Sequence, residues 1–209
     1  MKRTKKPAGM FTAIALMLAA LPAFMSFSAL ANDKEKATAA PKVGEAAPDF
    51  RLPYATQEKM FFKPEEQMTL ASLRGKNVIL AFYPADWSGG CTKEVCTLRD
   101  TFAELGKLNA TVLGISGDYV FSHHEWAKYH KLQFPLLSDH DHKVARLYDS
   151  YMEEMGYNKR TIYLIDKDGV VRYVNMSFKA GDKADYDKLR AELEKLNPPQ
   201  KMEEKQKTD

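Results

Sequence analysis

The chain alternates between unbroken apolar runs and stretches in which apolar residues return every three or four positions. "NVILAFYP" (77–84) and "ATVLGIS" (110–116) are continuous apolar runs, the pattern of strands buried on both faces. Between them, "CTKEVCTLRDTFAELGKL" (91–108) places Val95, Leu98, Phe102, Leu105 and Leu108 at helical spacing. "VFSHHEWAKYHKL" (120–132) predicts a second helix and "FPLLSD" (134–139) a short strand. "DHKVARLYDSY" (141–151) predicts a third helix, capped by Asp139 or Asp141. "TIYLID" (161–166), the turn Lys167-Asp168-Gly169 and "VVRYVNM" (170–176) predict a β-hairpin, and "KADYDKLRAELEKL" (183–196) a closing amphipathic helix. Upstream, "PDFRLP" (48–53) and "MFFKPEEQMTLASLRGK" (60–76) predict edge strands and a helical turn.

The predicted core order is β-α-β-α-β-α-β-β-α. Parallel strands joined by crossover helices, then an antiparallel hairpin and a last helix, give an α/β, thioredoxin-like fold: a central mixed β-sheet flanked by helices. That domain spans residues 43–196, between a charged, flexible lead (32–42) and a polar tail (197–209) opened by Pro198-Pro199. Residues 1–31 read as a secretory signal: Lys2, Arg3, Lys5 and Lys6, an apolar run from Met10, and an Ala29-Leu30-Ala31 cleavage site. The run is short for a membrane span and is broken by Pro22, so cleavage after Ala31 and an exported, periplasmic protein are expected rather than a retained anchor.

The signal changes the charge argument. Taking its four basic residues from the 31 of the chain leaves 27 against 28 acidic ones, so the formal +3 belongs to the leader. Nothing in a near-neutral domain points to nucleic acid. Export also implies a compartment that permits disulfides, and the chain has two cysteines, Cys91 and Cys96. A ring this small stabilises by only about 2 kcal/mol in the loop-entropy account, so a structural staple is the weaker reading. Cys91 falls where a strand ends and a helix begins, after the turn Ser88-Gly89-Gly90. A helix N-terminus offers free N–H donors and a positive dipole end, both of which favour a thiolate. Five helical steps rotate by about 140° and rise about 7.5 Å, which puts the two Cα atoms roughly 8 to 9 Å apart. A disulfide needs less than about 7 Å. The pair therefore suits a site with two backbone states, one helical and reduced, the other frayed and oxidised.

Pro84-x-x-x-Ser88-x-x-Cys91 resembles the peroxiredoxin motif Pro-x-x-x-Thr/Ser-x-x-Cys, and "GCTKEVCTLRD" resembles the bacterioferritin-comigratory-protein, or Q-type, subfamily of the AhpC/TSA superfamily. The resemblance extends through "KVGEAAPDFRLP", "VILAFYP", "FPLLSDHDHKVARLY" and "RTIYLIDKDGVVRYV", about residues 42 to 195. It implies a thiol-dependent peroxidase acting on hydrogen peroxide or organic hydroperoxides. Cys91 would be the peroxidatic cysteine and Cys96 the resolving one, joined in a redox-active disulfide. Ser88 would supply the motif hydroxyl, Pro84 would shield the thiolate, and Arg160 would be the active-site arginine. The subfamily more often has Thr-Pro where this chain has Ser88-Gly89, and "ADW" sets Trp87 beside the site.

No cofactor and no metal are expected: His123-His124, His130 and His140-x-His142 form no ligand set. Glu94 reads either as a partner of Arg160 or as a first-turn carboxylate suited to the helix dipole, Arg99 as a surface ion partner, and "SYMEEMGYNK" (150–159) as a loop over the site. The expected partners are a peroxide and an envelope dithiol reductant of thioredoxin type; the expected assembly is a monomer or weak dimer with no membrane span once the signal is removed. Two other classes keep the same cysteines: an envelope thiol–disulfide oxidoreductase, which would want Cys-x-x-Cys, and a non-enzymatic redox sensor.

Overall fold

The computed structural model describes residues 40–197; the expected signal, the lead up to residue 39 and the tail from residue 198 lie outside them. In chain order the elements are β1 (Arg51–Leu52), β2 (Tyr54–Ala55), β3 (Met60–Phe61), β4 (Met68–Thr69), β5 (Asn77–Phe82), α1 (Gly89–Lys107), β6 (Ala110–Ser116) and α2 (Val120–His130). They continue with β7 (Leu136–Ser138), α3 (Lys143–Leu147), β8 (Tyr151–Met152), β9 (Tyr157–Asn158), β10 (Thr161–Ile165), β11 (Val171–Asn175) and α4 (Lys183–Leu196). Seven strands form one sheet in the order β11-β10-β5-β6-β7-β2-β3. β5, β6 and β7 run parallel, while β10 pairs antiparallel with both β5 and β11. This is the mixed sheet expected of a thioredoxin-like fold, with β2 and β3 added beyond β7.

The apolar runs become central strands because both faces of the sheet are covered. Along β5, Ile79 and Ala81 point into one core and Val78, Leu80 and Phe82 into the other. β10 alternates in the same way, with Ile162 and Leu164 on the first face and Tyr163 and Ile165 on the second. The first core also takes Cys91, Val95, Leu98 and Leu105 of α1, Trp126 and Ala127 of α2, and Leu189 and Leu193 of α4. The second takes Val144 and Ala145 of α3 with Tyr148.

Three local outcomes differ from the pattern. The third helix is five residues long where 141–151 was expected. The Asp139 carboxylate accepts from the N–H groups of Val144 and Ala145 and fixes its start, and Asp149, with φ of 47°, turns the chain out of it. The segment 150–159 is the hairpin β8–β9. It joins the second core through Tyr151, whose ring lies 4.4 Å from His142 and under the Arg146 guanidinium. It thus packs with α3, on the face of the sheet opposite Cys91. Finally, β2 falls in "YA" (54–55), too short to show a period.

Gly114, in the middle of β6, lies where neighbouring side chains close in. A Cβ there would sit 2.6 Å from Leu136 Cδ2 and 3.2 Å from Tyr83 Cε1. Gly114→Val is therefore expected to lower stability by about 1–3 kcal/mol, read as a shift of the denaturant midpoint at unchanged slope.

Candidate active site

Cys91 is the third residue of α1, so it sits in the helix's first turn, where backbone N–H groups have no intrahelical acceptor. Its side chain is fully buried in the first core. Arg160 reaches it from the residue before β10. The pairing of Thr161 with Phe82 sets β10 against the end of β5, and so brings Arg160 beside the loop that feeds α1. Arg160 Nη2 donates to Cys91 Sγ at 3.4 Å, while Nη1 donates to Glu94 Oε2. Gly90 leaves the room for this: a Cβ at that position would stand 3.1 Å from Arg160 Nη2.

Glu94 is fully buried, and its second oxygen, Oε1, has no hydrogen-bond partner among the described residues. Burial outweighs the attraction of Arg160 and pushes the Glu94 carboxyl up to about 7. Arg160 shows the opposite balance. Burial opposes its charge, but Glu94 and Cys91 beside it hold its pKa above the ordinary arginine value. The guanidinium is thus a fixed cation shared between a sulfur and a carboxyl.

The other expected residues occupy the loop between β5 and α1. Pro84 is half-buried and opens the loop. Ser88 is the residue before α1 and is exposed; its hydroxyl donates to the Ala85 carbonyl at 3.1 Å, and among the described residues it makes no bond to Cys91. Trp87 adopts a φ of 61°, rare for an aromatic residue. Its ring turns to α2, with centroids 5.8 Å from Tyr129 and 6.4 Å from His130, and its indole N–H donates to Ser122 Oγ.

Asp86 holds that loop in place. Its backbone N–H donates to Asp118 Oδ2 at 2.9 Å, and its carboxylate accepts from Tyr83 Oη at 2.8 Å and Ser122 Oγ at 2.7 Å. His123, fully buried, sets Nδ1 2.9 Å from Asp86 Oδ2 and Nε2 3.1 Å from the Leu137 carbonyl. Asp86 and His123 are supporting residues that the sequence did not single out. The available signal was position: His123 shares the buried face of α2 with Val120 and Ala127.

Cys96 lies in the same unbroken helix as Cys91, and both are free thiols. It is partly buried and faces α2, with Sγ 3.6 Å from His130 Nδ1. The structure therefore brings Cys91, Arg160 and Glu94 together and holds Cys96 apart, on the α2 side of the helix.

Known proteins are similar to this chain in sequence and fold. The AhpC/TSA family profile matches residues 43–174. The chain is 41% identical over 139 residues to a putative peroxiredoxin bcp of Coxiella burnetii, a match spanning 64% of this chain and 87% of that protein. It is 39% identical over 132 residues to the chloroplastic peroxiredoxin Q of Oryza sativa subsp. japonica, spanning 63% of this chain and 57% of the rice protein. Among solved structures, the peroxidoxin BcpB of Mycobacterium tuberculosis superposes with a TM-score of 0.64 at 34% identity, covering 75% of this chain and 98% of that one. With the profile running through the sheet and the cysteine-bearing helix alike, the chain belongs to the AhpC/TSA peroxiredoxin family.

Proposed function

We propose that this chain is a thiol-dependent peroxidase in which Cys91 is oxidised by hydrogen peroxide or a small organic hydroperoxide and Cys96 resolves the product. The observation that carries the reading is the partly buried Arg160 guanidinium, 3.4 Å from Cys91 Sγ and anchored on Glu94. As a thiolate, Cys91 attacks one peroxide oxygen; the O–O bond breaks, the sulfur becomes a sulfenic acid, and the second oxygen leaves as water or an alcohol after taking a proton. Charge migrates from sulfur to oxygen during the step, and a fixed cation beside both lowers the barrier without reorganising. Cys96 then displaces the sulfenic oxygen as water and forms the disulfide, which requires the turn of α1 between the cysteines to unwind.

The reading extends to context that rests on sequence. Residues 1–31 have the make-up of an export signal, which puts the mature enzyme in the periplasm and makes its reductant an envelope dithiol protein of thioredoxin type. The resolving cysteine is in the same chain, so the cycle asks for no second subunit, in keeping with a monomer or weak dimer.

Three outcomes test it. One equivalent of peroxide should rapidly remove about 2 Da from the reduced parent and add about 16 Da to Cys96→Ser, read by intact mass. Cys91→Ser should not react, and reaction of the parent only at the slow rate of an ordinary thiol would sink the peroxidase reading. Arg160→Met should lower the second-order rate with peroxide by about a hundredfold or more, and Arg160→Lys should recover only part of it, because a point charge cannot hold sulfur and carboxyl together.

The third outcome concerns Glu94. The unfolded chain releases this proton near the ordinary value of 4.5, whereas the folded protein keeps it up to about 7. Across that window the folded state binds more protons, so the contribution of Glu94 to stability is greatest at the acid end and is lost as pH rises. Urea midpoints at the two ends should show this loss in the parent and not in Glu94→Gln.

A further inference from the structure

Cys96 does not simply face solvent until it is needed. It sits against His130, the last residue of α2, with Sγ 3.6 Å from Nδ1. Three aromatic rings stand beside the imidazole. Trp126 meets it edge-on at 5.8 Å and 90°, Tyr129 at 4.9 Å and 82°, and Trp87 covers it at 6.4 Å. Arg99, one helical turn after Cys96, clamps the residue from α1 by donating Nη1 to the His130 carbonyl at 2.7 Å. A thiol and an imidazole nitrogen at this distance, with aromatic rings beside the imidazole and an arginine on its backbone carbonyl, form a donor–acceptor pair.

We infer that His130 is the base for the resolving step, accepting the Cys96 proton on Nδ1 as Cys96 becomes the nucleophile. The inference rests on the assignment of Cys96 as the resolving thiol. The proton on Cys96 Sγ passes to the Nδ1 lone pair while the turn is still wound; the thiolate then leaves His130 as the turn unwinds, and its lone pair forms the S–S bond to Cys91. The S–O bond of the sulfenic acid breaks, and hydroxide leaves with a proton from solvent as water. His130 then returns its extra proton to solvent, so the sum is one sulfenic acid and one thiol giving one disulfide and one water.

Charge around the pair sets its resting protonation. Burial raises the Cys96 thiol above its ordinary value, with Arg99 pulling the other way and Asp100 adding to the rise. Burial holds the His130 imidazole below its ordinary value, and Arg99 acts in the same direction. Both groups therefore rest neutral near neutral pH; the transfer runs uphill and is drawn forward because the thiolate is consumed in the S–S bond. The groups facing the pair are Arg99 and Asp100 from α1, which are paired with each other, and Tyr129 from α2. His130 also closes α2, where the negative end of the helix dipole favours an arriving proton.

The test uses the reduced full-length parent, His130→Gln and His130→Phe. Each is mixed with one equivalent of hydrogen peroxide, quenched at intervals with a thiol-blocking and a sulfenic-acid-trapping reagent, and resolved by intact mass. The series runs from about pH 6 to about pH 9, bracketing the imidazole range. Sulfenic acid should form as in the parent, since His130 touches Cys96 and not Cys91, and this step also reports that the variants are folded. Disulfide formation near neutral pH should slow by about a hundredfold in both variants and recover as alkali ionises the thiol directly. The longer-lived sulfenic acid should also pass to sulfinic acid when a second equivalent of peroxide is added. Parental rates of disulfide formation in both variants overturn the inference. So does a slow Phe variant beside a parental Gln variant, which would make the contact one of packing. A parent that forms no disulfide removes the resolving role of Cys96 itself, a different failure from either.

Discussion

A partly buried guanidinium between a sulfur and a carboxyl is the constraint on which this site is built. A carboxyl cannot be taken out of water without a partner, and the fully buried Glu94 has Arg160, which keeps one edge exposed and also reaches Cys91 Sγ. Each is placed by a separate part of the fold. The Thr161–Phe82 register fixes where the chain enters β10, and the start of α1 at Gly89 places Cys91 and Glu94 on the turn that faces it. Gly90 keeps the helix surface low enough for the guanidinium to lie against it. Slipping β10 by one residue would turn Arg160 to the other face of the sheet and leave Glu94 buried without a counter-charge.

The loop between β5 and α1 answers to the same constraint. It must deliver Cys91 to one position while lacking the proline that the resemblance leads one to expect before the second glycine. Stiffness comes instead from Asp86, whose backbone and carboxylate together engage Asp118, Tyr83, Ser122 and His123. Buried polar groups of this kind are costly unless all are satisfied, so the network specifies one loop conformation. It also holds Trp87 at a φ of 61° and turns its ring away from Cys91 onto the α2 surface that shelters His130. The loop thus shapes two places at once, the thiol at the start of the helix and the one five residues along it.

The parts legible in the sequence were those with a period or a motif. Unbroken apolar runs gave β5, β6 and β10, and the Val95-Leu98-Leu105 stripe gave the buried face of α1. The spacing of the cysteines gave the conflict between an intact helix and a disulfide. What escaped were features set by tertiary position. For Glu94 the sequence left a partner of Arg160 and a first-turn carboxylate equally open; only the fold, which sets it beyond the first turn of α1 and fully buried, selects the pairing with Arg160. His123 and His130 differ only in which neighbour α2 presents them to, Asp86 for one and Cys96 for the other. The β8–β9 hairpin has strands of two residues, too short for alternation, and exists because Tyr151 packs on His142 and Arg146. Ser88 carries the motif hydroxyl, yet a motif names the residue and not its rotamer, and here the hydroxyl turns back to Ala85.

The helical turn from Cys91 to Cys96 carries two requirements that exclude each other. Holding Glu94 on Arg160 needs that turn wound, since Glu94 reaches the guanidinium only from the buried face of α1. Joining the two sulfurs needs it unwound, because the wound spacing is too long for a disulfide. Unwinding withdraws Val95 and Glu94 from the core and Cys96 from His130, while Leu98 and Leu105 keep the remainder of α1 docked. The apolar part of that loss is about one buried side chain, on the order of 1.5–3 kcal/mol, which bond formation between two sulfurs can offset. In the proposed cycle, activation of Cys91 and its resolution by Cys96 are therefore alternative states of one turn of helix, and closing that disulfide would dismantle the contacts that Arg160 makes with Cys91 and Glu94.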